Sequence, residues 1–423
     1  MFKTSIQDIM TQKQHWAVFI DNQSNKQGLI QQLLAEAKPP QGLEALKGLK
    51  GALFSKLALD DFIEEEVRHD QKLLTPATSQ SLQSMSSGER KKALLNYLLE
   101  TKPNFLILDN PFDNLDQDSQ KQIKEVLTNI SHHTVIIQLI SRSADLLPFV
   151  TNYSRLDLND FLVINDLSLI ENKINKVFYR DVPQALNRFN YSHEHLIRFK
   201  NVSVHYEEKP ILKNINWQIR TGEFWELAGK NGSGKTTLLS MVTGDNPKAY
   251  GQDIFLFGTR KGSGESVWDI KKNIGYFTPA MVDRFRGYHS LENMLISGLL
   301  DSIGLYIKPS QAQLRVAREW LALVNMEDKK DCYFHDLSLG QQRLIMCIRA
   351  MIKHPLLLIL DEPTAGLDDA SAALVVALVN KMAEESQTTI VFVSHRKEPE
   401  LKSHFVYQLE LTPEGSIGKV MDK

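Results

Sequence analysis

A glycine-rich segment in the second half of the chain has the residue types and spacing of a phosphate-binding loop. Residues 229–237 have the sequence GKNGSGKTT and follow the apolar run 224–228, so the loop is predicted to leave a buried strand and open a helix. Glycines let successive backbone N–H groups converge on phosphate oxygens, and the helix N-terminus favours negative charge. We predict that the nucleotide-binding residues of this loop are Gly229, Lys230, Asn231, Gly232, Ser233, Gly234, Lys235, Thr236 and Thr237.

Two residues of the loop and one distant carboxylate are the candidates for contacts with phosphate and metal. Lys235 is predicted to reach the β- and γ-phosphates, which makes it a catalytic candidate, and the Thr236 hydroxyl is predicted to hold Mg²⁺. Asp361 ends an apolar run, so it is expected at the C-terminal edge of a sheet, where α/β proteins bind ligands. A carboxylate there suits Mg²⁺.

Three further side chains could act on the nucleotide. Glu362 is the candidate to orient or deprotonate an attacking water, and His395, after the next apolar strand, could hydrogen-bond the γ-phosphate. Tyr206 ends the predicted strand 197–206 and could stack on a nucleobase, with core packing as the rival interpretation. In isolation, a strand-ending Asp-Glu would be a cap or a solvated turn, and a single histidine would be structural.

Part of this pattern occurs twice in the chain. FLILDNPFDNLD begins at residue 105 and LLILDEPTAGLD at residue 357, while SMSSGER surrounds Ser86 and LSLGQQR surrounds Ser338. Both pairs are 252 residues apart, and a fixed offset across two motifs indicates a duplicated domain. The copies differ at the candidate base, because Asn110 takes the position of Glu362.

Length and composition allow two domains of ordinary globular type. The 423 residues carry a net charge of −2, so no global basic field predicts nucleic-acid binding. Cys332 and Cys347 form neither a CxxC pair nor a disulfide framework, and no apolar run is long enough to span a bilayer, so a reducing cytoplasm is expected. Alternating strands and helices predict α/β domains with mostly parallel sheets at 1–166 and 196–423, joined by a partly helical linker at 167–195.

The ordered motifs GKNGSGKTT, LSLGQ, LLLILDEP, AGLD and VSH resemble those of the ATP-binding cassette (ABC) ATPases across residues 196–423, and the first half is similar but degraded. More narrowly, GSGESVWDIKKNIGYF and SGLLDSIGLY are similar to the two-cassette proteins known as molybdate-transport or photorepair ATPases, which lack a membrane domain. The resemblance implies tandem P-loop domains, each with a helical subdomain, and ATP and Mg²⁺ as cofactors. It also implies head-to-tail pairing, in which ATP lies between the loop of one cassette and the Ser-Gly signature of the other.

Aligned on the loop, the first half has lost most of its phosphate site. The substitutions are Ile20, Gln23 and Asn25 at the glycine positions and Gln27 at the position of the Mg²⁺-binding hydroxyl. Lys26 survives, and Arg142 is predicted to replace His395. About 43 residues between loop and signature are missing, and a counterpart of Tyr206 would precede Met1. The first domain is therefore predicted to be truncated.

The first-half signature nevertheless keeps Ser86 and Gly88, the two residues that would face a partner's γ-phosphate. The resemblance therefore implies intramolecular pairing of the cassettes and one competent site, made of these two residues and the second-half loop. The opposite site would pair Ser338 and Gly340 with the degraded loop and bind nucleotide weakly or not at all. A helix cap at Ser86 is compatible with this role.

The predicted function is ATP hydrolysis coupled to cassette closure, with an unidentified output. One alternative is the energising subunit of a membrane importer for molybdate or a similar oxyanion. It is disfavoured because the chain has no glutamine between Gln252 and Gln311, where transporter cassettes carry one. A second alternative is a nucleotide-dependent switch in DNA repair or translation. A membrane-domain or macromolecular partner stays open in all three.

Overall fold

The structure is a computed structural model that describes residues 14–35, 38–69, 71–76, 80–167, 178–187, 191–285 and 287–422. It divides into two compact units, Met1–Lys173 with Gly366–Asp369, and Ile174–Ala365 with Ala370–Lys423. Within the predicted linker, residues 168–177 and 188–190 lie outside the described residues, and 178–187 form no helix. The domain boundaries at 166 and 196 stay predictions.

The first unit is built on one six-stranded sheet. Its strands are β1 (Trp16–Ile20), β2 (Gly51–Phe54), β3 (Phe105–Asp109), β4 (Val135–Ile140), β5 (Asn152–Asp157) and β6 (Asp160–Ile164), in the spatial order β2-β3-β4-β1-β5-β6. All neighbours pair in parallel except β5 and β6, which are antiparallel. The central strands are continuous apolar runs because helices cover both faces of a parallel sheet.

The helices of the first unit are α1 (Lys26–Leu34), α2 (Lys56–His69), α3 (Ser87–Glu100) and α4 (Gln117–Ile130). Leu94 and Leu95 of α3 and Leu127 of α4 are buried against one side of the sheet, in a core that includes Phe112. Leu29 of α1 belongs to the core on the other side.

The second unit repeats this sheet strand for strand. It contains β9 (Phe224–Gly229), β12 (Ile274–Phe277), β13 (Leu357–Asp361), β14 (Thr389–Val393), β15 (Phe405–Glu410) and β16 (Ile417–Asp422), in the order β12-β13-β14-β9-β15-β16. Only β15 and β16 are antiparallel neighbours. The predicted duplication of a mostly parallel α/β fold is therefore confirmed.

A second sheet distinguishes the two units. The antiparallel strands β7 (His195–Tyr206), β8 (Lys209–Arg220), β10 (Asp253–Leu256) and β11 (Thr259–Arg260) form it in the order β11-β10-β7-β8. The described part of the first unit has no counterpart of this sheet. Because β10 and β11 lie between the loop and the signature, their loss accounts for part of the missing stretch predicted from the sequence.

Helices complete the second unit. They are α5 (Lys235–Val242), α6 (Val267–Lys271), α7 (Leu291–Leu299), α8 (Gln311–Leu323), α9 (Leu339–Met351) and α10 (Asp369–Glu385). The packed helices α7, α8 and α9 form the predicted helical subdomain. A search of the described residues finds no helix with the length and apolar character needed to cross a membrane.

Candidate active site

The loop that follows β9 requires its glycines for steric reasons that do not depend on a bound ligand. Gly232 and Gly234 have φ of +77° and +88°, in the left-handed region that disfavours side chains. A Cβ on Gly234 would lie 2.7 Å from Leu212 Cδ2, and one on Gly229 would lie 2.5 Å from Ser233 Oγ. The fold therefore enforces a tight turn that ends at the N-terminus of α5.

Lys235 opens α5 and folds back over the loop. Its Nζ donates to the carbonyl oxygens of Gly229 at 2.7 Å and Lys230 at 3.1 Å. The buried ammonium also lowers the pKa of Asp361 and of Glu362 by charge attraction, against the larger effect of burial. A cation therefore lies between the loop and the strand-ending carboxylates, as a triphosphate site requires.

The predicted metal ligands supply hard oxygen donors. Asp361 ends β13, and its burial raises the pKa of its carboxyl group, so a neighbouring cation would favour the ionised form. Thr236 is exposed in the first turn of α5. No group of three or more His, Cys, Asp or Glu side chains within the described ranges could hold a metal. A hydroxyl and a carboxylate are oxygen donors of the kind that Mg²⁺ prefers, and Mg²⁺ takes one or two protein ligands and completes its shell with phosphate and water.

Glu362 and His395 form a contact pair beside Asp361. Their Oε1 and Nε2 atoms are 3.2 Å apart, and the His395 backbone N–H donates to Glu362 Oε2 at 3.4 Å. Burial, and then the charge of Asp361, raise the pKa of Glu362 to about 7. A carboxylate with a pKa near the working pH has the affinity for protons that a general base needs.

Tyr206 lies at the end of β7 and is 42% exposed as a residue, so core packing does not explain it. Its hydroxyl accepts a hydrogen bond from Asn246 Nδ2 at 2.9 Å, and Lys248 Nζ is 6.0 Å from the ring centre. The hydroxyl is anchored while the ring stays accessible. This geometry is compatible with the predicted stacking on a base.

In the degraded loop of the first unit, the groups that would bind an anion are hydrogen-bonded or ion-paired to side chains of the same unit. Asp21 Oδ1 accepts from the backbone N–H groups of Gln23 at 2.8 Å and Ser24 at 2.9 Å. Asn25 caps α1. Lys26 Nζ is paired with Asp109 at 2.9 Å. The sequence prediction noted the lost glycines but missed these internal bonds, although an acidic residue directly after the strand was a visible signal.

Both signatures begin helices with the same cap. Ser86 Oγ accepts from Glu89 N at the start of α3 while Glu89 Oε2 accepts from Ser86 N, and Ser338 and Gln341 repeat this arrangement at α9. These hydrogen bonds lower the pKa of Glu89, which stays ionised. A Cβ on Gly88 would approach Ser119 Oγ to 2.4 Å. Glu89 takes the position that Gln341 has in the second signature, and the capping box is preserved.

One counterpart predicted from the sequence is wrong. β4 and β14 have the same register against β3 and β13, which makes Ser141, and not Arg142, the counterpart of His395. Asn110 Oδ1 accepts from Ser141 N at 3.0 Å, just as Glu362 accepts from His395 N. Sequence alignment missed this because the turns after the two strands offer no motif that fixes their offset.

The remaining predicted loop residues lie together in the second unit. Lys230 and Asn231 follow β9, Ser233 is buried beneath the turn, and Thr237 is in the first turn of α5. Gly340 is buried near the start of α9. The structure therefore brings the loop, the carboxylates and His395 to one edge of the β9-β14-β13 sheet region.

Comparison with known proteins agrees with this geometry. The family model described as ABC transporter matches residues 212–365. The chain is 35% identical over 366 residues to the ABC transporter ATP-binding protein ModF of Escherichia coli K12, covering 81% of this chain and 73% of the relative. It is 30% identical over 340 residues to an uncharacterised ABC transporter ATP-binding protein of Schizosaccharomyces pombe, covering 75% and 66%.

Among solved structures, the archaeal ribosome recycling factor aABCE1, in complex with the stalk protein aP1, is similar in fold. Its TM-score is 0.62 at 14% identity, with 97% of this chain and 86% of that chain covered. At this identity the likeness supports the fold alone. Together with the 35% identical relative, the loop and the strand-ending carboxylates show that this chain belongs to the ABC ATPases, the ATP-hydrolysing family.

Proposed function

We propose that the chain hydrolyses ATP to ADP and phosphate at one composite site, which combines the second-half phosphate loop with Ser86 and Gly88 of the first half. The observation that supports this proposal is the difference between the phosphate loop after β9 and its degraded counterpart after β1. In the second unit a glycine turn precedes Lys235 beside two half-buried carboxylates, whereas Asp21 and the Lys26–Asp109 pair occupy the equivalent groups of the first unit.

In the second half, the loop N–H groups and Lys235 bind the phosphates, and Tyr206 supports the base. Thr236 and Asp361 hold Mg²⁺, which when bound offsets negative charge on the phosphate oxygens. Glu362 accepts a proton from the attacking water, because its raised pKa makes it basic enough near neutral pH. His395, 3.2 Å from Glu362, orients that carboxylate and donates toward the γ-phosphate.

In the first half, the loop contributes no nucleotide contacts. ATP binding there would have to displace the Asp21 carboxylate from two N–H groups and separate Lys26 from Asp109, while side chains at the glycine positions crowd the phosphates. The retained contribution of this half is its signature, where the Ser86 hydroxyl and the N-terminal end of the α3 dipole would face the γ-phosphate. The site completed by Ser338 and Gly340 is therefore inactive.

We further propose that closure of paired cassettes on ATP drives a partner, with the cassettes at 1–166 and 196–423 and a cytoplasmic location. The names of the bacterial and yeast relatives include the word transporter, which favours a membrane importer as the second candidate. Affinity purification of the Glu362→Gln protein with ATP distinguishes the ATPase with another partner from the importer subunit. Only an importer subunit is expected to co-purify with a membrane protein.

The test of the one-site proposal is the stoichiometry of ATP binding. Equilibrium dialysis of Glu362→Gln protein with labelled ATP and Mg²⁺ should give one ATP per chain and almost no turnover. Adding Lys235→Ala should abolish binding, whereas the matched change Lys26→Ala should leave it unaltered. Two ATP per chain, or a loss of binding with Lys26→Ala, would refute the proposal.

A further inference from the structure

The second unit contains a cavity of about 470 Å³ that none of the predicted nucleotide contacts uses. It is bounded by α6, by β12 with the segment that follows it, by the C-terminal end of α9 and by residues 301–303. Its volume lies within the range of sites that hold small organic ligands. Its wall combines aromatic rings with four cationic side chains, against two aspartates.

The positive charge of the wall is only partly compensated. Two ion pairs cancel: Lys271 with Asp245 at 2.6 Å, and Lys353 with Asp301 at 2.7 Å. Neither Arg284 nor Arg349 has a carboxylate within 4.0 Å among the described residues. The cavity wall therefore carries two more cationic than anionic side chains, although Asp301 also acts on Arg349 by charge attraction. An anion is the complementary ligand.

Arg349 is the deeper of the two, at 8% exposure. Its Nε donates to Ser297 Oγ at 3.0 Å and its Nη2 to the Ser302 carbonyl at 2.7 Å, while the guanidinium lies 4.8 Å from the centre of the Phe285 ring. These contacts fix the group and leave Nη1 without an acceptor in the described part of the chain. Burial lowers the pKa of Arg349 to about 10, so the group stays charged at neutral pH.

The rest of the wall suits an apolar body attached to that anion. Trp268 on α6 is 74% exposed, although the other four tryptophans of the chain are buried. Tyr276 on β12 presents a hydroxyl that has no partner among the described residues, and burial raises its pKa to about 12, so it remains a donor. Phe285 and Ile303 add apolar surface.

We propose that this cavity binds a small organic anion, with a carboxylate or phosphate group at Arg349 and Arg284 and an aromatic or other apolar body against Trp268. The ligand is distinct from ATP, whose site is built on the loop after β9. The fixed guanidinium of Arg349 favours a ligand with an anionic group, and the exposed indole of Trp268 favours one with an aromatic or other apolar part.

Phenyl phosphate is the probe, with benzoate, inorganic phosphate and phenol as comparisons. Excess ADP is added so that phosphate compounds do not bind the phosphate loop after β9. The same measurements are repeated with the Lys235→Ala protein, in which that loop is impaired. Binding is followed by tryptophan fluorescence, to which Trp268 contributes the one exposed indole, and by calorimetry. We expect a saturable change in fluorescence with phenyl phosphate or benzoate. The compound that binds more tightly identifies the anion as a phosphate or a carboxylate. Phenol and inorganic phosphate should bind at least five-fold more weakly.

Variants locate the binding in this cavity. Arg284→Gln and Tyr276→Phe should each weaken the probe about three- to ten-fold, since each removes one donor to an anion. Arg260→Gln, an exposed arginine on β11, is the matched control and should leave affinity unchanged. Trp268→Phe should remove the fluorescence change while calorimetry still detects binding. No saturable binding of either aromatic anion, equal binding of phenol, or equal effects of Arg284→Gln and Arg260→Gln would overturn the proposal.

Discussion

Replacing Glu362 by glutamine should stabilise the folded second unit while abolishing its chemistry. The glutamate side chain is 19% exposed, and burial and Asp361 raise its pKa from 4.5 to about 7. The folded state therefore holds the proton more tightly than the unfolded chain does. This group's contribution to stability is full below pH 4.5 and is lost as the pH rises through about 7.

The magnitude follows from that difference in pKa. Each pKa unit corresponds to about 1.4 kcal/mol, so keeping ionised Glu362 in its folded environment costs on the order of 3 kcal/mol at pH 8. Glutamine has nearly the same shape and carries no charge. The free energy of unfolding of Glu362→Gln should therefore exceed that of the unsubstituted protein by up to about 3 kcal/mol at pH 8, and by less than about 1 kcal/mol at pH 5.

Urea unfolding of the nucleotide-free protein at the two pH values measures this difference. Tryptophan fluorescence reports mainly on the second unit, which holds four of the five tryptophans. Glu208→Gln is the matched control, because Glu208 is exposed and its substitution should change stability by less than about 0.5 kcal/mol. An unchanged or lowered stability of Glu362→Gln at pH 8, or an equal gain at both pH values, would refute the assignment of a buried, destabilised carboxylate.

Three further outcomes are expected. If ionised Glu362 is the base, kcat/KM, which reports the free enzyme, should rise about ten-fold between pH 6 and pH 8 in a phosphate-release assay, and a flat profile would contradict that role. Ser86→Arg should lower the hydrolysis rate at least ten-fold, whereas Ser338→Arg, which removes an equivalent cap, should change it less than three-fold; equal losses would argue against the composite site. Tyr206→Ala should raise KM for ATP about ten-fold and Tyr206→Phe should leave it nearly unaltered, because stacking on a base contributes roughly 1–3 kcal/mol; identical KM values would exclude stacking.

Much of the fold could be predicted because its signals are local. Short apolar runs bounded by polar turns, such as 105–108 and 357–360, indicate buried strands, and the 252-residue offset made the duplication visible without any structure. The antiparallel sheet of the second unit was predicted only through its first strand. The second strand, β8, also alternates, with Ile215, Trp217 and Ile219 buried, but the sequence reasoning missed it. β10 and β11 are only four and two residues long, and their pairing with β7 and with each other could not be read from so short a pattern.

By itself, the sequence determined which loop can cradle phosphate, since glycine spacing and Lys235 act within a few residues of one another. Only the tertiary structure decided two other matters: that Ser141 is the counterpart of His395, and that burial raises the pKa of Glu362 to about 7. Each depends on burial, or on register between distant segments. Local residue types cannot specify either, because desolvation and strand pairing are set by the whole packed unit.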